Sequence, residues 1–172
     1  MRPFLGGTVA STPWEVSFDG GARDIGGVRV AGAGAVLWAQ CDGLSGYRCA
    51  ARATVALPAE EHAQVAEAWG GRVALDLLLR TQADLRLARV IGDNLGVIRY
   101  GAGEARLRRP AMQSVLEPLL GRIALAGWGL SWQAVRRRLN GAADALATDG
   151  VHWAASLARA GVTEPRLHIE WL

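Results

Sequence analysis

The stretch Val135-Arg136-Arg137-Arg138-Leu139-Asn140-Gly141-Ala142-Ala143-Asp144-Ala145-Leu146-Ala147 decides how the rest of the chain is read. From Asn140 on, its small and apolar residues keep a helical period, and Asp144 falls one turn after Asn140. An Asn ahead of such a run predicts a helix cap, which puts Asp144 near the helix start. Three consecutive Arg just upstream present planar forks suited to a phosphate. The helix is expected from about Asn140 to Ala160, with Gly161 stopping it. Before it, Leu130 to Val135 alternates as a strand.

Working toward the N-terminus, Pro110 suits the first turn of a helix reaching about Ala126, and residues 101–109 read as a polar, basic connection. Val90-Ile91-Gly92-Asp93-Asn94 closes a short apolar strand over 88–92, and a short helix follows from about Asn94 to Tyr100. On its own Asp93 reads as that helix's N-cap, a role compatible with metal binding. Between Ala59 and Arg80 there is no proline, and Val65, Ala66, Trp69, Val73, Leu77 and Leu78 recur at a helical period. Residues 14–19 (WEVSFD) alternate as a strand that Gly20 and Gly21 end. Residues 31–39 and 47–57 add two strands joined by a turn over 42–46, so the first three strands form an antiparallel meander. The expected whole is an α/β domain over 14–160: a five-stranded mixed sheet flanked by helices, with an irregular leader (1–13) and a C-terminal tail (161–172).

At 172 residues the chain is long enough for one domain with a real core, and no apolar run approaches a membrane span. No secretory signal is recognisable, so an intracellular, cytoplasmic or nuclear, monomer is expected. Cys41 and Cys49 are too few for a disulfide framework or a zinc site and read as free thiols. All 19 basic residues are Arg, a composition well adapted to a nucleic-acid backbone. The net charge of +3 undersells this, because acids neutralised by metal would leave the remaining surface more basic.

Four blocks, in order, resemble the type 1 ribonuclease H superfamily, particularly its retroelement-type and plant-type domains, over about residues 14–155. Phe18-Asp19-Gly20-Gly21-Ala22-Arg23 looks like the family's strand-ending D-G-(G/S)-A. Ala66-Glu67-Ala68 falls where the family carries a helix Glu; taken alone it would read as a solvated face residue, with Glu60 and Glu61 as rivals. Val90 to Asn94 is similar to the family's strand-end Asp-Ser, with Asn94 for Ser. The opening stretch resembles the retroelement pattern V-x-R-x-x-N-x-x-A-D-x-L-A. The resemblance implies a catalytic and metal-binding set of Asp19, Glu67, Asp93 and Asp144. It also implies nucleic-acid contacts from Gly20, Gly21, Arg23, Gln64, Asn94, Arg136, Arg138 and Asn140. The implied substrate is an RNA–DNA hybrid, and the implied parent could be a reverse-transcriptase polyprotein.

That set suits phosphodiester hydrolysis. Two divalent ions about 3.5–4 Å apart can activate water on one side and stabilise the leaving oxygen on the other. Mg²⁺, with Mn²⁺ as a substitute, takes oxygen ligands, so carboxylates suffice. The chain departs from the family in three places. Ala63 and Gln64 stand where many members carry paired Asn, Ala134 stands where several carry a loop His, and no Lys- and Trp-rich handle follows Asp93. Arg99, Arg106, Arg108 and Arg109 are the local substitute for that handle, while Trp69, Trp128 and Trp132 read as core. Two other readings stand beside the hybrid endonuclease. One is a catalytically silent binding module of the same fold; the other is a nuclease for DNA or structured RNA.

Overall fold

The computed structural model describes residues 14–41, 46–81 and 88–172. The expected leader 1–13 and most of the turn after Cys41 lie outside the described residues. In chain order the elements are β1 (Trp14–Ile25), β2 (Val28–Gln40), β3 (Tyr47–Leu57), α1 (Ala63–Arg80), β4 (Ala88–Gly92) and α2 (Leu95–Gly101). Then come α3 (Pro110–Leu125), β5 (Ser131–Ala134), a 3-10 turn (Arg137–Leu139), α4 (Gly141–Arg159) and β6 (Arg166–Trp171). They build one mixed sheet in the order β5-β4-β1-β2-β3-β6, with β1, β2, β3 and β6 antiparallel and β5, β4 and β1 parallel.

The α/β class and antiparallel meander agree with the sequence reading, but the sheet has six strands instead of five. The sixth is the expected tail, whose RLHIEW alternates polar and apolar residues and pairs with β3 from Ala56↔Arg166 to Ala51↔Trp171. Gly20 and Gly21 do not end β1, which continues to Ile25. The reversal occurs at Gly26 and Gly27, whose φ values of 61° and 79° suit a two-residue hairpin turn. Likewise α1 begins at Ala63 and not at Ala59, because the Glu60 Oε1 accepts the backbone N–H of Glu61 and His62 and holds that segment outside the helix.

Alternation along β1 assigns the helices to faces. A Cβ on Gly20 would collide with the backbone of Ala66 and Glu67, so Gly20 faces α1. Gly34 lies opposite Asp19, and a Cβ there would strike Leu146 and the α4 backbone. Consecutive β1 residues point to opposite faces, so α1 and α4 cover opposite sides of the sheet. On the α1 side, Leu75, Leu77, Leu78, Leu116 and the Phe18 ring form the core, with Trp69, Trp128 and Trp132 packed against it. On the α4 side Val30, Ala56, Val151, Ala154 and Ala155 form a thinner cluster, as a helix seated directly on glycine requires.

That close seating predicts an asymmetry among glycines. Gly32→Ala, which would push against the Gly150–Val151 backbone, is expected to destabilise by about 1–3 kcal/mol in urea unfolding. Gly121→Ala on α3 meets nothing within 4 Å and is expected to be neutral or up to about 1 kcal/mol stabilising.

Candidate active site

Asp19 sits mid-strand in β1 and is 1% exposed. The parallel register Phe18↔Gly92 carries β4 to its end beside Asp19, which brings Asp93 next to it. Glu67 arrives from above, on the turn of α1 that Gly20 admits to backbone contact, and Gly70 in turn packs on the Asp19 carbonyl. One carboxylate oxygen from each of Asp19, Glu67 and Asp93 lies within 4.8 Å of the others. The rivals are not in this group: Glu60 turns back on its own backbone and borders Trp69, Thr163 and Pro165, and Glu61 is exposed.

Asp144 stands at the rim of this group. It lines the same cleft as Asp19, while its Oδ1 accepts from Arg137 Nη2 at 2.7 Å. The N-terminus of α4 is tied to β1 by Asn140, whose Nδ2 donates to the Phe18 carbonyl at 2.7 Å. Asn140 occupies the N-cap position but its side chain caps nothing, contrary to the sequence reading, and at 2% exposure it faces the protein interior. The cap of α2 is Asn94, which accepts from the Val97 N–H at 3.0 Å, so Asp93 is spared that duty.

The remaining expected contacts divide into two groups. Gly21, Arg23, Arg137 and Asp144 line a cleft beside Asp19, with Arg23 donating to Thr148 at 3.4 Å. Gly21 has open space where a Cβ would be, whereas Gly20 is buried under α1. Gln64 and Asn94 line a second cleft with Arg106, Arg108 and Arg109, and Gln64 Oε1 accepts from Arg109 Nε at 2.8 Å. Arg136 and Arg138 are exposed. Arg137 was not singled out of its triple-Arg run, because only the 3-10 turn decides which of the three points at the acids.

Burial first, then the charges of Asp19 and Asp93, push the Glu67 carboxyl up to about 9. Burial first, then Asp93, pushes Asp19 up to about 7. The Arg137 hydrogen bond holds Asp144 below the usual carboxylate range. Glu67 Oε2 and Asp93 Oδ1 are buried without any hydrogen-bond partner. Buried acceptors left unpaired are costly, and a hard cation would satisfy both at once. The donor set is all oxygen and fits a divalent metal.

No protein-family model matches the chain, and a search of the curated proteins finds no match. Solved structures do match. The chain is similar to the N-terminal RNase H domain of a Mycobacterium tuberculosis protein, at 25% identity and TM-score 0.65, over 86% of this chain and 99% of that one. It is similar to LC11-RNase H1, isolated from compost and solved in complex with an RNA/DNA hybrid, at 21% identity and TM-score 0.62, over 82% and 98%. It is also similar to the prototype foamy virus protease–reverse transcriptase, at 18% identity and TM-score 0.60, over 81% of this chain and 21% of that one.

The raised carboxyls set a sign for stability against pH. Asp19 and Glu67 bind more protons folded than unfolded, so their stabilising effect is full below about pH 4 and is lost as pH rises through about 7 and about 9. Without metal, the melting temperature is expected to fall between pH 5 and pH 9, and Asp19→Asn should flatten that fall. A metal-free melt that instead climbs steadily toward pH 9 would contradict the buried cluster.

Proposed function

We propose that this chain, whose fold places it in the ribonuclease H-like superfamily, is a metal-dependent endonuclease that hydrolyses the RNA strand of RNA–DNA hybrids. The observation that carries this reading is the meeting of Asp19, Glu67 and Asp93 from three different elements, with two buried oxygens left unpartnered. Structural elements rarely converge on unpaired acids unless something binds there.

Asp19, Glu67 and Asp93 would hold the metal, with Asp144 contributing from the rim once it leaves Arg137. Two Mg²⁺ ions, or Mn²⁺, would supply an activated water and charge stabilisation at the leaving oxygen. The chain's own groups do the positioning. Gly21 leaves room for a phosphate backbone to come close, and Arg23 and Arg137 flank that approach with donors. Gln64, Asn94 and Arg106 to Arg109 form a separate cleft, with Gln64 one turn before Glu67 on α1 and Asn94 next to Asp93, suited to a second strand. Recognition would then rest on duplex shape and the 2′-hydroxyl, with little base reading. A stand-alone chain and a domain within a reverse transcriptase would use these groups alike.

A silent binding module is favoured by one observation. Arg137 neutralises Asp144, and protonation of Asp19 and Glu67 relieves the remaining repulsion, so the cluster can persist without metal. Cleavage assays on matched RNA–DNA hybrid, duplex DNA and duplex RNA decide between them. Hybrid cleavage with Mg²⁺ or Mn²⁺, abolished by chelator, is the expected outcome, and metal-dependent binding to hybrid without cleavage would favour the module.

Glu67→Gln is expected to reduce cleavage by at least about a hundredfold, since even groups that only support metal ligands cost about 10–100-fold. Glu61→Gln should leave the rate nearly unchanged. Arg109→Ala should raise KM with kcat preserved, the pattern of a lost binding contact. Equal losses from Glu67→Gln and Glu61→Gln would mean that α1 has been wrongly assigned to the site.

A further inference from the structure

The free edge of β6 is the feature that neither the carboxylate site nor its clefts account for. β6 ends the sheet, and among the described residues no strand pairs with its outer side. Its whole length is exposed except for half-buried Ile169. Leu167 and Trp171 are 44% and 50% exposed, large values for apolar side chains on an unpaired edge. Natural edges are usually blunted by proline, a bulge or charged side chains. The β3–β6 register runs without a break, Pro165 lies outside the strand, and Arg166 and Glu170 put charge on one face only, leaving Leu167, Ile169 and Trp171 on the other.

The backbone pattern defines what this edge offers. The Leu172 N–H donates to the Ala50 carbonyl at 2.9 Å, across the pair Ala51↔Trp171. That bond marks Ala51↔Trp171 as a non-hydrogen-bonded pair, so the N–H and C=O of Trp171 point away from β3. By alternation, the groups of Ile169 and Leu167 do the same. Three successive outward residues are therefore the apolar ones, and the inward-bonded residues Arg166, His168 and Glu170 are the polar ones.

We propose that β6 is a dimerisation strand, two copies of the chain pairing their β6 edges antiparallel about a two-fold axis at Ile169. The sequence is self-complementary in that register. Ile169 pairs with its own copy, Leu167 lies across from Trp171, and each of these pairs exchanges two backbone hydrogen bonds. On the opposite face His168 lies across from Glu170, twice by symmetry, and Arg166 reaches the same Glu170 diagonally. The apolar stripe continues the side of the sheet that carries α1, where Leu167 borders Trp69, Val73 and Leu119. A partner of unrelated sequence would require no such symmetry, whereas a second copy of this chain uses every part of it. This interface departs from the monomer expected from the sequence, because the strand that forms it was read there as a tail.

The 172-residue chain should sediment at twice its 18.2 kDa mass at high concentration and dissociate on dilution. His168→Glu places like charges opposite each other at two symmetric positions and should weaken the dimer by about tenfold or more. Adding Glu170→Arg replaces that repulsion with opposite charges, so the double variant should recover the dimer. Both side chains are exposed, but Glu170 lies opposite Arg52 of β3, so the double variant is compared with one that also carries Arg52→Glu to keep that pair opposite in sign, and the melting temperature verifies the fold of each. The amides of Leu167, Ile169 and Trp171 should exchange slowly only at concentrations where the dimer forms. A wild-type chain monomeric at every concentration overturns the proposal, whether or not those amides are protected. So does a dimer indifferent to His168→Glu, or one that the charge swap fails to restore.

Discussion

Phe18 is the contact on which the site's geometry depends, because every element that carries an acid meets it. Its own neighbour in β1 is Asp19. Its ring fills the space that a Cβ on Gly92 would take, one residue before Asp93, and lies against Gly70 and Gly71 on α1, just past Glu67. Its carbonyl accepts the Asn140 amide, which sets the start of α4 and hence the position of Asp144. Three glycines let β4 and α1 close on one fully buried ring, and one buried amide ties the start of α4 to the backbone of the same residue. A close-packed interior transmits small volume changes, so a side chain added at any of these glycines would move a carboxylate as well as a core atom.

This convergence works against the electrostatics. Bringing Asp19, Glu67 and Asp93 together removes water that would otherwise solvate their charge, and the Asp19 and Glu67 carboxyls respond by holding protons. Arg137 offsets part of the negative field from the rim, at Asp144, where solvent is still available. The division is physically sensible: the buried acids are left without a cationic side chain in hydrogen-bond contact, and the exposed one has one. A buried guanidinium would have had to be desolvated along with its partner, and any incoming cation would have had to displace it from the interior. At the rim, the ion pair is partly solvated and opens at smaller cost.

Much of this was legible in the sequence. Asp93 and Asp144 lie at the end or start of elements whose periodicity is clear, and Asp19 lies on a recognised strand that runs on past it to Ile25, so their placement followed once the elements were recognised. Glu67 lacked any local signal, since a Glu on a long helix is ordinarily solvated, and family resemblance alone selected it over Glu60 and Glu61. A structural signal was present in Ala66, Gly70 and Gly20, small residues that let the helix touch the strand, but only the strand register reveals that they face each other. Asn140 misled because its type suits a cap equally well as a buried tether, and the choice is made by Phe18, 122 residues away in sequence. Gly20-Gly21 misled in the same manner: glycine marks a turn or a close approach, and here it marks the approach. The alternation in β6 was readable, but a short terminal run has no neighbour in sequence to say which strand it joins.

The two ends of the sheet are built for different purposes. At β4 and β1 the parallel pairing stops where β4 ends, which sets Asp93 beside Asp19 at the carboxyl end of β4, the usual place for a site in a sheet of this kind. At β3 and β6 the strands are antiparallel and apolar residues stand on the margin. If two copies join through β6, seven strand spacings separate one β1 from the other, roughly 34 Å at about 4.8 Å each before twist is considered. The two carboxylate clusters could not then share one phosphate, and the chemistry of each would be that of a single chain. What pairing adds is a second basic surface held at a fixed distance from the first. For a ligand with a repeating backbone, that raises the effective concentration of one site when the other is engaged, without any new contact at the reacting centre. Affinity for long duplexes would therefore depend on β6, while turnover on a short one would depend only on the residues gathered around Phe18.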